Sequence, residues 1–325
     1  MKTIKVSVRN LVEFILRTGD IDNRRGVGSK EEAMQAGGRL HRKIQKRMGT
    51  FYRAEVPLSI TLPEKDFTLI IEGRADGILE EPDMPVVIDE IKGMYRNVKK
   101  LKEPFTVHLA QAKCYAYMYA VEKGLEEITV QMTYGNLETE ELKYFKEVCE
   151  FETLKKWFEE LTDRYLVWAR LQYEHQCKVM DSISELEFPY EYRKGQRDMT
   201  ASVYSSIKRG ERLFVQAPTG IGKTMATIFP AVKAMGQEMG EKLFYLTAKT
   251  SLAQVAMHSF NVLRQQGLMF CTVVITAKEK SCPMEKTECN PTACPYAKGH
   301  YDRVNDAIYD IITHETKIDR ECIAA

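Results

Sequence analysis

The chain has almost no net charge, since its 325 residues include 47 lysines and arginines against 46 aspartates and glutamates. A uniformly basic field is therefore excluded, and any nucleic-acid binding must depend on local basic patches. The chain also has no N-terminal segment resembling a signal peptide. No apolar run approaches the roughly 20 residues that a bilayer-spanning helix requires. These absences predict a cytoplasmic protein with no membrane partner, and they leave the oligomeric state open.

Eight cysteines occur in the chain, without a paired C-x-x-C knuckle among the three that lie close together. In a cytoplasmic protein such residues are more often thiols or metal ligands than disulfides. Cys282, Cys289 and Cys294 are separated by six and then four residues, a spacing that is not typical of zinc. From the residues alone, two interpretations of the cluster stay open: the cysteines bind a metal other than zinc, or they are three unliganded thiols.

The length and the pattern of the chain predict two domains. Apolar residues recur at near-helical spacing over residues 150–176, which predicts a long helix. The stretch that follows has no clear period and favours a boundary. We therefore predict a domain at 1–178, a linker at 179–188 and a second domain at 189–325.

The stretch APTGIGKT, residues 217–224, closely matches the glycine-rich loop that surrounds the phosphates of a nucleotide. Residues 212–216 (RLFVQ) predict a short buried strand before it, and residues 225–235 (MATIFPAVKAM) predict a helix start after it. The pattern predicts binding of ATP with Mg²⁺, with Lys223 at the β/γ oxygens and Thr224 as a ligand of the metal. Ala217 stands where the general pattern has its first glycine. The candidate ATP-binding residues of the loop are Thr219, Gly220, Gly222, Lys223 and Thr224. The alternative is an ordinary glycine-rich turn.

A second group of polar residues lies on two predicted strands, residues 67–76 (FTLIIEGRAD) and 86–92 (VVIDEIK). A hairpin of these strands brings Asp76 beside Glu90, and two adjacent carboxylates are tolerated as anions mainly when a divalent cation lies between them. Mg²⁺ or Mn²⁺ there would polarise a phosphodiester and activate water, with Lys92 placed to orient that water or stabilise developing charge. The alternative is a polar strand face with an exposed ion pair.

Two further segments accompany this pair: AGGRLHRKIQ, which places His41 on a predicted helix after a glycine pair, and HLAQAKCYAYMYA, which places Gln111 and Tyr115 four residues apart. With these elements, the first domain resembles the RecB-type nucleases of the PD-(D/E)xK superfamily. The resemblance implies a restriction-endonuclease-like mixed sheet with flanking helices that cleaves DNA with a metal. It implies that His41, Asp76 and Glu90 hold Mg²⁺ or Mn²⁺. It also implies that Asp76, Glu90 and Lys92 are catalytic, and that Gln111 and Tyr115 position DNA. As single residues, His41 is more often a surface or core histidine and Tyr115 more often a core residue.

The second domain resembles the first motor lobe of superfamily 2 DNA helicases of the DinG/XPD type. The resemblance is carried by RKGQ (193–196), the phosphate loop, YLTAKTSLAQ (245–254) and the cysteine cluster. It implies a partial RecA-like P-loop lobe with a parallel sheet and a helical iron–sulfur insertion from about residue 278. The implied residues are Arg193 and Gln196 for ATP, Thr247 and Lys249 for the DNA backbone, and Cys282, Cys289 and Cys294 for a [4Fe–4S] cluster. A fourth cluster ligand is not found, although Cys322 is a candidate substitute.

Hydrolysis of ATP requires an acidic residue on a further strand, and no apolar strand after Thr224 ends in Asp-Glu. We therefore expect the chain to be the N-terminal portion of a longer protein, ending before that motif. The combined prediction is an ATP-dependent DNA helicase fused to a metal-dependent DNA nuclease. It would act in DNA repair or replication on DNA that is single-stranded or has single-stranded tails. The alternatives are a metal-dependent nuclease with a regulatory or vestigial nucleotide-binding module and, less favoured, an ATPase unrelated to nucleic acid.

Overall fold

A computed structural model describes residues 2–25 and 30–324 as a mixed α/β protein. The chain divides into two compact units. The first comprises Met1–Leu171 and Glu288–Asn305, and the second comprises Gln172–Thr287 and Asp306–Ala325. Among the described helices, none combines the length and the apolar character needed to cross a membrane.

The first unit alternates helices and strands along most of its length. In chain order its elements are β1 (Lys2–Ser7), α1 (Val8–Leu16), α2 (Lys30–Arg47), β2 (Tyr52–Pro63), β3 (Phe67–Leu79), β4 (Val87–Met94), α3 (Thr106–Lys123), β5 (Glu127–Asn136), β6 (Leu142–Glu150) and α4 (Phe151–Ser184). Short 3-10 turns occur at Asn23–Arg25 and Val98–Lys100. The predicted helix at 150–176 is confirmed as α4, which continues to Ser184 in the second unit.

The strands of the first unit form one mixed sheet in the order β1-β3-β4-β5-β6, with β2 pairing to β3 as well. Pairing is parallel for β1 with β3 and for β4 with β5, and antiparallel for the other neighbours. Strand β5, between β4 and β6, is buried along nearly its whole length, as expected for a strand covered on both faces. This arrangement is the mixed sheet flanked by helices that the sequence predicts.

The β3–β4 hairpin forms as predicted from its alternating pattern. Its antiparallel register places Gly77 opposite Asp89, and one further step along both strands brings Asp76 to Glu90. On β3 the apolar face is buried, with Ile71 and Ala75 fully covered, while Glu72 and Arg74 are exposed. The period of two therefore separates the core face from the polar face.

Helix α3 lies against the sheet and contributes a continuous buried surface from Ala110 to Ala120. It ends at Gly124, whose φ of 65° lies in the left-handed region and whose N–H donates to the carbonyl of Ala120. A glycine is favoured at that position because it adopts a positive φ without steric cost. The same helix carries the predicted Gln111 and Tyr115.

The sequence analysis predicts that a glycine pair precedes the helix of His41, but in the structure this pair lies within the helix. Gly37 and Gly38 are in the middle of α2, which begins at Lys30. Leu40 and Ile44 attach α2 to Ile91 of β4 through buried side chains. Tertiary packing therefore outweighs the low helix propensity of two adjacent glycines.

The second unit is mainly helical in its described residues. After the end of α4 its elements are α5 (Gln196–Arg209), α6 (Lys223–Met235), α7 (Thr250–Gln265), β7 (Thr272–Val273), α8 (Lys278–Ser281), the later part of α9 (His300–His314), β8 (Lys317–Ile318) and α10 (Arg320–Ala324). Strands β7 and β8 pair in parallel. The helix after the phosphate loop is confirmed as α6.

The predicted linker at 179–188 is a packed segment in the structure. Val179, Ile183 and Leu186 are buried in a core formed with α6 and α7. The Lys233 ammonium donates to the carbonyls of Ile183, Ser184 and Leu186 at 3.0, 3.1 and 3.2 Å. A lysine on α6 therefore donates to carbonyl groups at and after the end of α4, where the helix has no further N–H groups to offer them.

The prediction of a strand at residues 212–216 is wrong. These residues are irregular, and Phe214 is 93% exposed. Residues 243–249 are likewise irregular up to the start of α7. A buried strand requires neighbours on both edges and both faces, and the described residues around this segment do not form such a sheet.

Candidate metal centre and phosphate-binding loop

His41 and Asp76 form the first contact of the candidate metal centre. His41 lies on α2 and Asp76 on β3, and His41 Nδ1 is 3.5 Å from Asp76 Oδ1. Burial of His41 acts to lower its pKa, but the hydrogen bond to Asp76 and the negative charge of that carboxylate outweigh burial, so the pKa of His41 is raised. The imidazole is therefore held beside an anionic oxygen atom.

Asp76 is fixed by two neighbouring groups. Its Oδ2 accepts a hydrogen bond of 2.7 Å from the N–H of Ile91 on β4. Its carbonyl oxygen accepts one of 2.9 Å from the Gln45 side chain on α2. One carboxylate oxygen is thus bound to the adjacent strand, while the other faces the histidine.

Glu90 and Lys92 lie on β4 and form an ion pair, with Lys92 Nζ 2.7 Å from Glu90 Oε1. Glu90 is only 2% exposed, and its Oε2 is a buried atom that has no hydrogen-bond partner within the part of the chain that the structure describes. Burial raises the pKa of Glu90, and the charge of Asp76 raises it further, whereas Lys92 lowers it. Such a buried, unpaired carboxylate oxygen is costly unless another positive group satisfies it.

The structure also reveals Glu55, which the sequence analysis did not identify. Among the described residues, His41, Glu55 and Asp76 form the one group of His, Cys, Asp or Glu side chains whose ligand atoms all lie within 4.8 Å of one another. Glu55 lies on β2, and a strand of mixed polar and apolar residues carries no local signal for such a position. Only the pairing of β2 with β3 brings it to the site.

The predicted DNA-positioning residues of α3 are buried. Tyr115 is 4% and Gln111 is 7% exposed. The Tyr115 hydroxyl forms a hydrogen bond with the backbone of Arg74, and its ring lies directly over Gly73 on β3. In this structure Tyr115 therefore fixes α3 to the strand that carries Asp76.

Behind the site lies a buried polar network that the sequence analysis also missed. Asp89, between Ile88 and Glu90 on β4, accepts hydrogen bonds from Tyr52, Gln131 and Thr133 at 3.1, 3.0 and 2.5 Å. Burial raises the pKa of Asp89, and these hydrogen bonds oppose the shift. The network joins β4 to β2 and β5, and thereby fixes the strand that carries Glu90 and Lys92.

The phosphate loop is closed by contacts among its own residues. Lys223 Nζ donates to the carbonyls of Ala217 and Pro218 at 3.0 and 2.9 Å. Gly220 and Gly222 have φ values of 86° and 83°, in the region that favours glycine. The loop thus has the backbone conformation that its glycines predict, with the lysine folded back over it.

Arg193 and Gln196, which the helicase resemblance implies for ATP, contact this loop. The Gln196 amide donates to the carbonyl of Gly222 at 3.3 Å and accepts from the N–H of Arg193 at 3.0 Å. The Arg193 guanidinium donates to the carbonyl of Gly220. Thr224 lies in the first turn of α6, and Thr219 is on the exposed part of the loop.

The residues predicted to touch the DNA backbone precede α7. The Thr247 hydroxyl donates to the carbonyl of Lys249 at 3.1 Å, and Lys249 is exposed at the N-cap of the helix. Both residues lie in the irregular segment described above. Their side chains are brought to a helix start, where backbone N–H groups can bind an anion.

The three clustered cysteines are divided between the two units. Cys282 follows α8 in the second unit, whereas Cys289 and Cys294 belong to the first unit. The segment of Cys289 is bound there by backbone hydrogen bonds from Asn23 to Cys289 and from Ile21 to Ala297, at 2.8 and 2.9 Å. Within the described residues, the three thiols form no ligand group of the kind found around His41.

A glycine-rich loop at the start of a helix is typical of nucleotide-binding proteins. More specifically, the family model for DEAD/DEAH box helicases matches residues 196–315. This segment is therefore similar to a superfamily 2 helicase domain, which implies nucleic-acid-dependent helicase function with ATP and Mg²⁺. The match covers Gln196, the phosphate loop and the residues before α7.

No curated protein matches the chain. A solved structure described as "Crystal structure of SSO0001" is similar at 20% sequence identity, over 49% of this chain and 75% of that one, with a TM-score of 0.33.

Proposed function

We propose that residues 1–178 form a metal-dependent DNA nuclease and that residues 189–325, which include the segment similar to DEAD/DEAH box helicases, belong to a helicase motor of the DinG/XPD type. The observation that carries the nuclease proposal is the convergence of His41, Asp76, Glu90 and Lys92 from α2, β3 and β4. The two parts would act together on DNA that is single-stranded or has single-stranded tails, in repair or replication.

The residues of the candidate metal centre around His41, Asp76 and Glu90 are suited to bind a hard divalent cation. Glu90 presents a buried carboxylate oxygen with no hydrogen-bond partner among the described residues, and the charges of Asp76 and His41 act on that carboxyl group. Carboxylate oxygens are preferred ligands of Mg²⁺, and Mn²⁺ accepts imidazole as well. His41, Asp76 and Glu90 would hold the ion, with waters completing its coordination.

A bound Mg²⁺ or Mn²⁺ would polarise the phosphodiester and lower the pKa of a water molecule. The protein residues prepare this chemistry. Asp76 is fixed by the N–H of Ile91, so one of its oxygens has a defined position before substrate arrives. Lys92 lies 2.7 Å from Glu90, where its ammonium can orient the attacking water or stabilise negative charge on the phosphate.

The finer assignment of the motor segment depends on its sequence motifs. The contacts of Arg193 and Gln196 with the phosphate loop support a site for ATP. The [4Fe–4S] cluster stays a prediction that the DinG/XPD resemblance implies for Cys282, Cys289 and Cys294. Since these thiols form no ligand group among the described residues, we derive no function from the cluster.

The nuclease proposal is tested with the Glu90→Gln variant, which keeps the shape of the side chain and removes its charge. We expect the wild-type chain to cleave end-labelled single-stranded DNA when Mn²⁺ is supplied, and Glu90→Gln to show no cleavage above background. Glu72→Gln is the matched control, because Glu72 is an exposed carboxylate on the same sheet. Cleavage by Glu90→Gln at the wild-type rate would show that another protein or another site is responsible.

A second candidate function is a nuclease whose nucleotide-binding module is regulatory. It is favoured by the closed loop, in which Lys223 is bound to carbonyls of its own loop. Turnover of ATP, measured with and without single-stranded DNA, separates the two functions. DNA-stimulated turnover that disappears in Lys223→Ala supports a motor, whereas binding without turnover supports regulation.

A further inference from the structure

Glu55 occupies an unusual backbone position next to the proposed metal site. On β2, Ala54 pairs with Gly77 and Val56 pairs with Ala75, so Glu55 lies between these pairs and opposite Asp76. Its φ is 56°, in the left-handed region that a glutamate rarely adopts. The strand pairing therefore brings a third carboxylate to the position where Asp76 lies.

The Glu55 carboxylate shares one hydrogen-bond donor, the Gln45 amide, with Asp76. The Gln45 amide donates to Glu55 Oε1 at 3.1 Å and to the carbonyl oxygen of Asp76 at 2.9 Å. Arg74 lies 3.3 Å from Glu55 Oε2. His41, Glu55 and Asp76 each offer a ligand atom within 4.8 Å of the others.

Independently of this cluster, the site contains a buried atom that lacks a partner. Glu90 Oε2 is buried and accepts no hydrogen bond from residues 2–25 or 30–324, although Asp76 and His41 are among the charges that act on its carboxyl group. A cation would satisfy this oxygen and relieve the repulsion between the neighbouring carboxylates. The enclosed oxygen of Glu90 and the group around Glu55 thus lie on either side of Asp76 in the sheet.

We propose that Glu55 is a further ligand of the divalent cation, completing with His41, Asp76 and Glu90 a site suited to Mn²⁺ or Mg²⁺. The inference rests on the proposed nuclease function, because it concerns the same ion. It assigns one ligand to each of α2, β2, β3 and β4. A site with three carboxylates and one imidazole suits Mn²⁺ in particular, since that ion accepts both oxygen and nitrogen ligands.

The test measures binding of Mn²⁺ to the full chain in the absence of DNA, by isothermal titration calorimetry and by loss of the free-ion electron paramagnetic resonance signal. We expect Glu55→Gln to weaken binding about tenfold or more, as loss of a ligand or of its support does at other metal sites. Asp76→Asn should weaken it as well, and the exposed control Glu72→Gln should bind as the wild type does. Thermal melts of each variant without metal check that the fold is retained.

The outcomes separate the inference from the function on which it rests. Wild-type affinity in Glu55→Gln, together with weak binding in Asp76→Asn, would overturn the role of Glu55 and leave the nuclease proposal standing. Absence of Mn²⁺ binding in the wild type would overturn both. If Glu55→Gln lowers the melting temperature, Glu55→Asp decides the question. A ligand role predicts that the shorter carboxylate restores part of the affinity, and a purely structural role predicts that it restores none.

Discussion

Asp76 Oδ2 accepts a 2.7 Å hydrogen bond from the backbone N–H of Ile91, the residue between Glu90 and Lys92. A side chain of β3 is thereby joined to the backbone of β4 at the position where the acidic and basic groups of the site follow each other. Ile91 itself is fully buried, so this part of β4 is fixed by packing as well. The relative positions of Asp76, Glu90 and Lys92 are consequently set by the sheet before any ligand binds.

Asp76→Asn should abolish metal-dependent cleavage while preserving the fold. The amide oxygen of asparagine can still accept from Ile91, so the hairpin keeps its connection, but the anionic ligand is lost. We expect the rate on single-stranded DNA to fall by about 10³-fold or more, equivalent to roughly 4 kcal/mol of transition-state stabilisation. Initial cleavage rates with Mn²⁺ test the loss of activity, and a thermal melt followed by circular dichroism tests whether the fold is preserved. A variant that cleaves normally would exclude Asp76 from the reaction.

Gly73→Ala and Gly37→Ala should have opposite effects on stability. A Cβ at Gly73 would lie 2.7 Å from the hydroxyl oxygen of Tyr115, whereas a Cβ at Gly37 would meet nothing within 4 Å. Displacing Tyr115 should cost about 1–3 kcal/mol, since overpacking forces shifts of buried groups. Alanine at Gly37, inside α2, should stabilise by about 0.5–1 kcal/mol. Urea denaturation of both variants gives the comparison, and an unchanged midpoint for Gly73→Ala would contradict the packing described.

The parts of the site that the sequence could predict are those determined locally. Alternation over residues 67–76 gives the strand, and the short connection to β4 makes antiparallel pairing with Glu90 the natural outcome. Glu55 could not be found in this way. The position of Glu55 depends on its positive φ and on the pairing of β2 with β3. The local sequence pattern indicates neither of these features.

The same distinction explains why the prediction of a strand at residues 212–216 is wrong. RLFVQ has the composition of a buried strand, but strand formation requires partners, and Phe214 is exposed in the structure. Cys282, Cys289 and Cys294 lie close together in the sequence. The segment of Cys289 and Cys294 nevertheless joins the first unit through contacts with residues 19–23, including the N–H of Gly19 bound to Asp302 at 2.8 Å. Such long-range contacts leave no signal in the spacing of the cysteines.

His108 should make the stability of the first unit depend on pH. It lies on α3, with Nδ1 3.2 Å from the Tyr134 hydroxyl. Burial, together with the charge of Lys92 and a smaller contribution from Arg9 opposed by Glu13, lowers the pKa of His108 to about 4. The unfolded chain should protonate this histidine near its ordinary pKa of about 6.5. The stabilisation is therefore complete above about pH 6.5 and is lost as the pH falls toward 4.

The measurement is the free energy of unfolding at pH 7.5 and at pH 5, for wild type and His108→Asn. Between these values the wild type should lose on the order of 1–2 kcal/mol more than the variant, because the variant has no group to protonate at this position. Other groups that titrate in the range, such as His41, contribute equally to both proteins and cancel in the comparison. Equal losses in the two proteins would show that His108 is not held neutral in the fold.

Lys223→Ala should weaken ATP binding without unfolding the second unit. In the described structure the lysine ammonium is bound to the carbonyls of Ala217 and Pro218, and its side chain is exposed, so its removal leaves the core of α6 and α7 intact. With nucleotide present, the ammonium would exchange these carbonyls for phosphate oxygens, and charge-assisted hydrogen bonds of this kind contribute about 1.5–3 kcal/mol. We expect affinity for a fluorescent ATP analogue to fall by about tenfold or more, the change that corresponds to roughly 1.4 kcal/mol. Lys242→Ala, at an exposed lysine outside the loop, is the matched control. If both variants bind the nucleotide as tightly as the wild type, the loop is not the nucleotide site, whatever its sequence resembles.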